Sequence, residues 1–190
     1  MYKNNRYQSG IDQMIAWSKH VRTITITDIF PEIESTRVLL RKLSLADKMA
    51  IFENYSDVDI YKNFMDKPFE KIEQAENLIK SFNSEFEKKE GITWAIDVKK
   101  DRICVGTISI VIIDEESAEI GYDLKKEYWG QGIMSEALKK VIEFSRKELL
   151  LKRLKADTYT SNNRSCSLLK NNGFVLDYIE GDSSYYCIEL

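Results

Sequence analysis

The sequence predicts one domain of the mixed α/β class, built around a single sheet. Three β-rich segments joined by short polar turns, ITWAIDV, CVGTISIVIID and AEIGYDL, are typical of an antiparallel meander. Segments with apolar residues three and four positions apart predict amphipathic helices on either side of this meander. The chain has 190 residues, which is enough for one well-buried domain but marginal for two.

Two strands and two helices are predicted before the meander. The segments RTITITDIF and TRVLLRKL alternate apolar and polar residues, which is the period-two pattern of strands. Ser44 and Asp47 form a capping-box pattern at the start of a helix. Apolar spacing predicts a second helix over residues 68–89, ending at Gly91.

After the meander, the pattern predicts a helix, a strand, a short helix and two closing strands. Residues 133–149 place apolar and charged side chains on opposite sides of a helix. RLKADTYT predicts the next strand, and residues 163–171 predict a short helix ended by Gly173. FVLDYI and YYCIEL predict the two closing strands.

Composition argues against several functions. The net charge is −3 and basic residues form no continuous cluster, so we expect no nucleic-acid partner. The longest uncharged apolar run, residues 104–113, is about half the length that crosses a bilayer, and no apolar signal core opens the chain. We therefore expect a cytoplasmic protein with no membrane partner. Three scattered cysteines without a CxxC and one histidine predict no metal site.

The turn from Trp129 to Gly132, directly before a predicted helix, is the most informative segment. Glycines beside the free N–H groups of a helix start favour an anion site, although they are also compatible with a tight turn alone. No Walker lysine follows the glycines. A dinucleotide fingerprint, with Asp157 holding a ribose, is disfavoured because five residues separate the turn from its strand.

Three segments taken in order resemble the GCN5-related N-acetyltransferase (GNAT) superfamily, and within it the RimJ/RimL-like branch that acetylates protein N-termini and other amines. They are FPEIESTRVLLRKLSLAD, AEIGYDLKKEYWGQGIMSEAL and SNNRSCSLLKNNGF. The resemblance implies one GNAT-like domain over residues 29–190, with a central, largely antiparallel twisted sheet flanked by helices. Residues 1–28 would be an extension packed on the domain. The resemblance also implies acetyl-CoA as cosubstrate and an amine acceptor, and it is compatible with a homodimer.

The same resemblance implies which residues bind the coenzyme. Tyr122, Asp123 and Leu124 would pair with the pantetheine arm, and Asn162 and Ser165 would face the thioester. The pyrophosphate would bind the backbone of Trp129, Gly130, Gln131, Gly132, Ile133, Met134 and Ser135. Met134 stands where the superfamily has Gly or Ala, so its bulk is expected beside the phosphates.

Amide formation requires a neutral amine. At pH 7, deprotonating a lysine costs about 4 to 5 kcal/mol and deprotonating an α-amine only about 1 kcal/mol. Glu119, on the strand that would flank the thioester, is the candidate base, acting through water; alternatively it is an ordinary exposed or ion-paired carboxylate. Ser165 is the candidate acid for the departing thiol; alternatively it satisfies an N–H group at its helix start.

The sequence is compatible with two functions. One is an N-acetyltransferase that moves an acetyl group directly from acetyl-CoA to a primary amine, either a protein N-terminal α-amine or a small-molecule amine. The other is a non-catalytic acyl-CoA-binding module. Glu119 and Ser165 favour the enzyme.

Overall fold

One eight-stranded sheet organises the computed structural model, which describes residues 26–64 and 67–190. The strands in chain order are β1 (Ile33–Glu34), β2 (Val38–Lys42), β3 (Gly91–Val98), β4 (Ile103–Ile112), β5 (Ser117–Leu124), β6 (Arg153–Tyr159), β7 (Val175–Glu180) and β8 (Ser183–Glu189). The helices are α1 (Lys48–Ser56), α2 (Val58–Tyr61), α3 (Ile72–Glu87), α4 (Ile133–Lys147) and α5 (Asn163–Asn171).

The strand order across the sheet is β1-β2-β3-β4-β5-β6-β8-β7. Every neighbouring pair is antiparallel except β5 and β6, which are parallel and connected through α4. The predicted mixed α/β class and the antiparallel meander of β3, β4 and β5 are thereby confirmed.

Helices cover both faces of the sheet because its strands alternate apolar side chains toward each side. On one face, α1 and α3 bury Ile51 and Ile79 against Ala95 of β3. On the other face, α4 packs on the sheet, with the ring of Phe144 5.6 Å from that of Trp94. Among the described helices, none is both long and apolar enough to cross a bilayer.

The first predicted strand is wrong where it can be compared. In RTITITDIF, residues 22–25 lie outside the described part of the chain, and residues 26–30 form no strand. The Thr27 hydroxyl instead donates locally to the carbonyl of Ile29 at 2.7 Å. Phe30 then packs its ring 4.9 Å from that of Phe86. Residues 1–25 of the predicted N-terminal extension likewise lie outside the described residues.

The predicted helix over residues 68–89 begins later than expected, at Ile72, and Gly91 does not end it. The helix ends at Glu87, and Lys89 takes the left-handed conformation with φ 63°. Gly91 is the first residue of β3, where an added Cβ would lie 2.7 Å from the carbonyl oxygen of Ile110. Close approach of two strands therefore accounts for this glycine.

Candidate active site

A gap opens in the sheet between β5 and β6. The two strands pair over three positions, the last of which joins Glu119 to Lys155. Beyond that pair, β5 continues to Leu124 and β6 to Tyr159 without further pairing to each other. Two parallel strands that separate in this way leave main-chain groups of β5 facing the gap.

The hydrogen-bond pattern identifies those groups. The Lys125 N–H donates to the Val105 carbonyl at 2.7 Å, which makes Leu124 and Gly106 a non-hydrogen-bonded pair of the β4–β5 ladder. The alternation of the ladder then directs the N–H and C=O groups of Leu124 and Tyr122 away from β4, toward the gap. An extended amide-containing ligand could pair with β5 there.

The glycine turn lies just beyond the end of β5. Gly130 and Gly132 both adopt left-handed conformations, with φ 71° and φ 75°, and residues 130–132 are exposed. The Glu136 N–H makes a helical bond to the Gly132 carbonyl at 3.0 Å. The N–H groups of residues 133–135 precede that bond in the first turn of α4, where backbone donors have no helical partner.

The side chains of this first turn point elsewhere. Ile133 and Met134 are buried in the core beneath α4. The expected bulk of Met134 beside the phosphates is therefore absent, because the helix directs that side chain inward. The Ser135 hydroxyl donates to Asn172 Oδ1 at 2.9 Å, which joins the start of α4 to the residue that caps α5. Only the main chain of these three residues faces the exposed turn.

Trp129 links the turn to the end of β5. Its indole Nε1 donates to the Leu124 carbonyl at 2.7 Å. The Arg164 guanidinium lies over the indole, 4.6 Å from the ring centroid. The Leu124 carbonyl is thus occupied, and the Leu124 N–H is the main-chain group of this residue left facing the gap.

A pair of hydroxyl groups crosses the gap from β5 to α5. Tyr122 Oη and Ser165 Oγ are 2.8 Å apart. Burial raises the pKa of Tyr122 well above its usual range, so the phenol stays protonated. The predicted capping role of Ser165 belongs to Asn162, whose Oδ1 accepts from the Ser165 N–H at 3.2 Å. The Ser165 hydroxyl is thereby available to its partner across the gap.

Glu119 lies at the position where the strands part. Its side chain points to the face opposite Tyr122 because the two residues are three positions apart on one strand. The Glu119 side chain is exposed, but the protein around it reduces the solvation of the carboxylate, and this effect, together with the negative charge of Asp157, raises the pKa of Glu119 to about 7. Lys155 opposes this shift. A base with this pKa can take a proton near neutral pH.

Asp123 lies away from the gap. Its buried carboxylate accepts hydrogen bonds from the Thr107 hydroxyl and, at 2.8 Å, from Asn54 Nδ2 on α1. Its main chain belongs to the β4 side of the ladder. Burial raises the pKa of Asp123 to about 6, against the effect of those hydrogen bonds. Of the three residues expected at the pantetheine arm, the structure brings Tyr122 and Leu124 to the gap.

Sequence reasoning missed the contacts that hold the turn from β2. Arg37 pairs with Glu136 of α4 at 2.6 Å and also donates to the Gln131 carbonyl at 2.8 Å. No local spacing could indicate a pair separated by 99 positions. Within residues 26–64 and 67–190, no three His, Cys, Asp or Glu side chains group as a metal site requires.

The fold and the family define the protein as an acyltransferase. The chain belongs to the GNAT family: residues 37–175 match the family model described as an acetyltransferase (GNAT) domain. It is 33% identical, over 77% of its length, to the uncharacterised N-acetyltransferase YoaA of Bacillus subtilis, covering 84% of that protein. This membership confirms the predicted family and favours the enzyme over a non-catalytic module.

Solved structures share the fold. The ribosomal L7/L12 α-N-protein acetyltransferase RimL, in complex with coenzyme A, has a TM-score of 0.72 at 20% identity, covering 84% of this chain and 98% of the RimL chain.

 For the apo form of the same enzyme, the alignment covers 85% of this chain and 96% of the RimL chain. The microcin C7 self-immunity acetyltransferase MccE, in complex with acetyl-CoA and AMP, has a TM-score of 0.74 at 20% identity, covering 88% of this chain and 100% of the MccE chain. These likenesses establish the fold.

Proposed function

We propose that the protein transfers an acetyl group from acetyl-CoA directly to a primary amine. The observation that carries this proposal is the gap between β5 and β6, which opens beside the exposed glycine turn and has Glu119 at its closed end. Ser165 lies across the gap, in contact with Tyr122. One continuous path therefore joins an anion-binding turn to a candidate base and a candidate acid.

The residues present fit an acyl-CoA. The N–H groups of residues 133–135 and the positive end of the α4 dipole favour a diphosphate, by roughly 0.3 to 2 kcal/mol for the dipole. The gap-facing N–H and C=O groups of Tyr122, and the Leu124 N–H, suit the amides of a pantetheine arm. The exposed, left-handed Gly130 allows close approach, because nothing lies within 4 Å of an added Cβ there.

Acid and base act from opposite faces of the sheet. When bound, acetyl-CoA supplies the acetyl group as a thioester. Glu119 accepts a proton from the acceptor amine, directly or through water, and the amine nitrogen bonds to the acetyl carbon as the carbon–sulfur bond of the thioester breaks. Ser165, supported by Tyr122, donates a proton toward the departing sulfur on the other face. A thiol with a pKa near 8.5 makes this donor helpful rather than essential.

The open face around Glu119 favours a cationic acceptor. Asp157 lies on the same face of β6, close enough to raise the pKa of Glu119, so the two side chains together attract an ammonium group. We propose a protein N-terminal α-amine or a small-molecule amine as the acceptor. An α-amine needs the weaker base, since its pKa is near 8.

An acceptor screen tests this function. The purified protein is incubated with acetyl-CoA and, separately, peptides with free α-amines, the same peptides with blocked N-termini and a lysine, and a polyamine. Thiol release is followed spectroscopically and the products are identified by intact mass. We expect acetylation of at least one amine class and loss of that activity in Glu119→Gln. Coenzyme binding without thiol release for any amine would contradict the proposal.

A further inference from the structure

Arg37, directly before β2, reaches across to the glycine turn and to the first turn of α4. Its Nε donates to Glu136 Oε2 at 2.6 Å, and its Nη1 donates to the Gln131 carbonyl at 2.8 Å. The Arg37 backbone N–H and the Ser35 hydroxyl hold the other carboxylate oxygen of Glu136 at 2.7 Å and 2.6 Å. One guanidinium therefore joins three separate elements of the chain.

The bond to Gln131 determines the orientation of a peptide group in the turn. A trans peptide is planar, so its C=O and N–H point in opposite directions. Because Arg37 holds the Gln131 carbonyl on the β2 side, the N–H of Gly132 points to the other side. Gly132 permits either orientation of this peptide, since glycine adopts positive and negative φ with similar ease. Without Arg37, the peptide is free to turn a carbonyl toward a bound phosphate.

The bond to Glu136 has an electrostatic consequence. A carboxylate in the first turn of a helix opposes the binding of a second anion at that helix start. Arg37 pairs with this carboxylate and the network holds it toward β2. The Arg37 side chain is itself 48% exposed, so solvent still reaches part of it while it neutralises Glu136.

We propose that Arg37 is a positioning residue for the diphosphate of the coenzyme, acting through the Gln131–Gly132 peptide and through Glu136. This inference rests on the proposed location of the coenzyme at the glycine turn. It predicts that Arg37 matters for a coenzyme that carries the diphosphate and does not matter for one that lacks it.

Acetyl-CoA and acetyl-pantetheine provide that comparison, because acetyl-pantetheine has the thioester and the arm but no phosphate. In Arg37→Met we expect the KM for acetyl-CoA to rise about tenfold with kcat within about twofold of the parent. The kcat/KM for acetyl-pantetheine should stay within about twofold of the parent. Arg146→Met, which removes an exposed arginine at the other end of α4, should behave as the parent with both substrates.

Arg37→Lys separates positioning from charge. A single ammonium cannot bond to both the Gln131 carbonyl and Glu136 with the geometry of the guanidinium, so we expect a loss similar to that of Arg37→Met. Full recovery in Arg37→Lys would overturn the positioning role. An equal loss with acetyl-CoA and acetyl-pantetheine, together with a lower melting temperature, would show a purely structural role and also overturn it.

The parent protein tests the underlying assumption separately. If it uses acetyl-CoA and acetyl-pantetheine with equal kcat/KM, the turn does not bind the diphosphate, and the proposed coenzyme site fails. If the parent prefers acetyl-CoA and Arg37→Met keeps that preference, the site stands and the inference about Arg37 fails.

Discussion

The pKa of Glu119 leads to a specific pH dependence for its replacement by glutamine. Glu119→Gln keeps the size of the side chain and removes its basicity. In the parent, the reactive complex contains ionised Glu119 and a protonated amine. As pH rises, the fraction of this complex increases until it passes the pKa of Glu119, about 7. In the variant, the amine must lose its proton to water, so the pKa of the amine governs the rate.

The ratio of the two activities follows from these equilibria. Below pH 7 both reactive forms gain about tenfold per pH unit, so the parent's advantage is constant. Above pH 7 the variant continues to gain while the parent does not, and above the pKa of the amine the protonated amine that the parent uses is depleted. We take an advantage of about 100-fold at low pH, at the lower end for a positioned base. It then falls to about 50-fold at pH 7, about tenfold at pH 8 and about twofold at pH 9.

The assay is kcat/KM for the acceptor between pH 6 and pH 9, with acetyl-CoA saturating and thiol release as the signal. The parent should pass through a maximum between pH 7 and the pKa of the acceptor, and the variant should level off at that pKa, about 8 for an α-amine. Glu143→Gln, which removes a carboxylate from the outer side of α4, serves as the control and should follow the parent profile. A constant loss across this pH range would refute proton transfer and indicate positioning. No loss at pH 7 would remove Glu119 from the mechanism.

Three further expectations concern the turn, the hydroxyl pair and the buried carboxylate. Gly130→Ala and Gly181→Ala both place a Cβ in open space at positive φ. Each variant should therefore lower the free energy of unfolding, measured in urea, by about 1 kcal/mol. Calorimetry should show weaker acetyl-CoA binding for Gly130→Ala alone. Ser165→Ala and Tyr122→Phe should each lower kcat about tenfold at unchanged coenzyme affinity. The kcat of the double variant should show no further loss, because the two hydroxyl groups act together. If the losses of the two single variants multiply in the double variant, the shared role is refuted. Because burial raises its pKa to about 6, Asp123 binds more protons in the folded state than in the unfolded state. Its contribution to the free energy of unfolding should therefore fall by about 3 kcal/mol as pH rises from about 4 to 6. Urea unfolding of Asp123→Asn should lack this pH dependence, and an unchanged pH dependence would contradict the raised pKa.

The local sequence pattern was sufficient to predict the helices that lie beside the glycine turn. The bounds predicted for the short helix, residues 163–171, agree with α5, and the start predicted at Ile133 agrees with α4. Both helices have strong local signals, namely apolar spacing and a boundary glycine or asparagine. The alternation in RTITITDIF is an equally strong signal for a strand, but Phe30 is packed on the ring of Phe86 and the described residues of this segment turn instead.

The partners of the site residues were beyond the reach of local pattern. Glu119 was predicted from its strand position, but the influence of Asp157 depends on the parallel register of β5 and β6, which the sequence does not reveal. The contact between Tyr122 and Ser165 joins residues 43 positions apart. Such contacts depend on how the strands diverge, which is a property of the assembled sheet rather than of any segment.

The short helix α5 connects the two ends of the proposed coenzyme site. At its start, Ser165 contacts Tyr122 and Arg164 lies over Trp129, so this end is fixed to β5 and to the entrance of the turn. At its other end, Asn172 accepts a hydrogen bond from Ser135 in the first turn of α4. Ser165 and Asn172 are seven positions apart, which corresponds to about 10 Å at the rise of an α-helix. A rigid element of this length sets the separation between the hydroxyl pair and the first turn of α4. The exposed glycine turn and the half-buried Ser165, the proposed proton donor, therefore lie where they could contact opposite ends of one extended molecule.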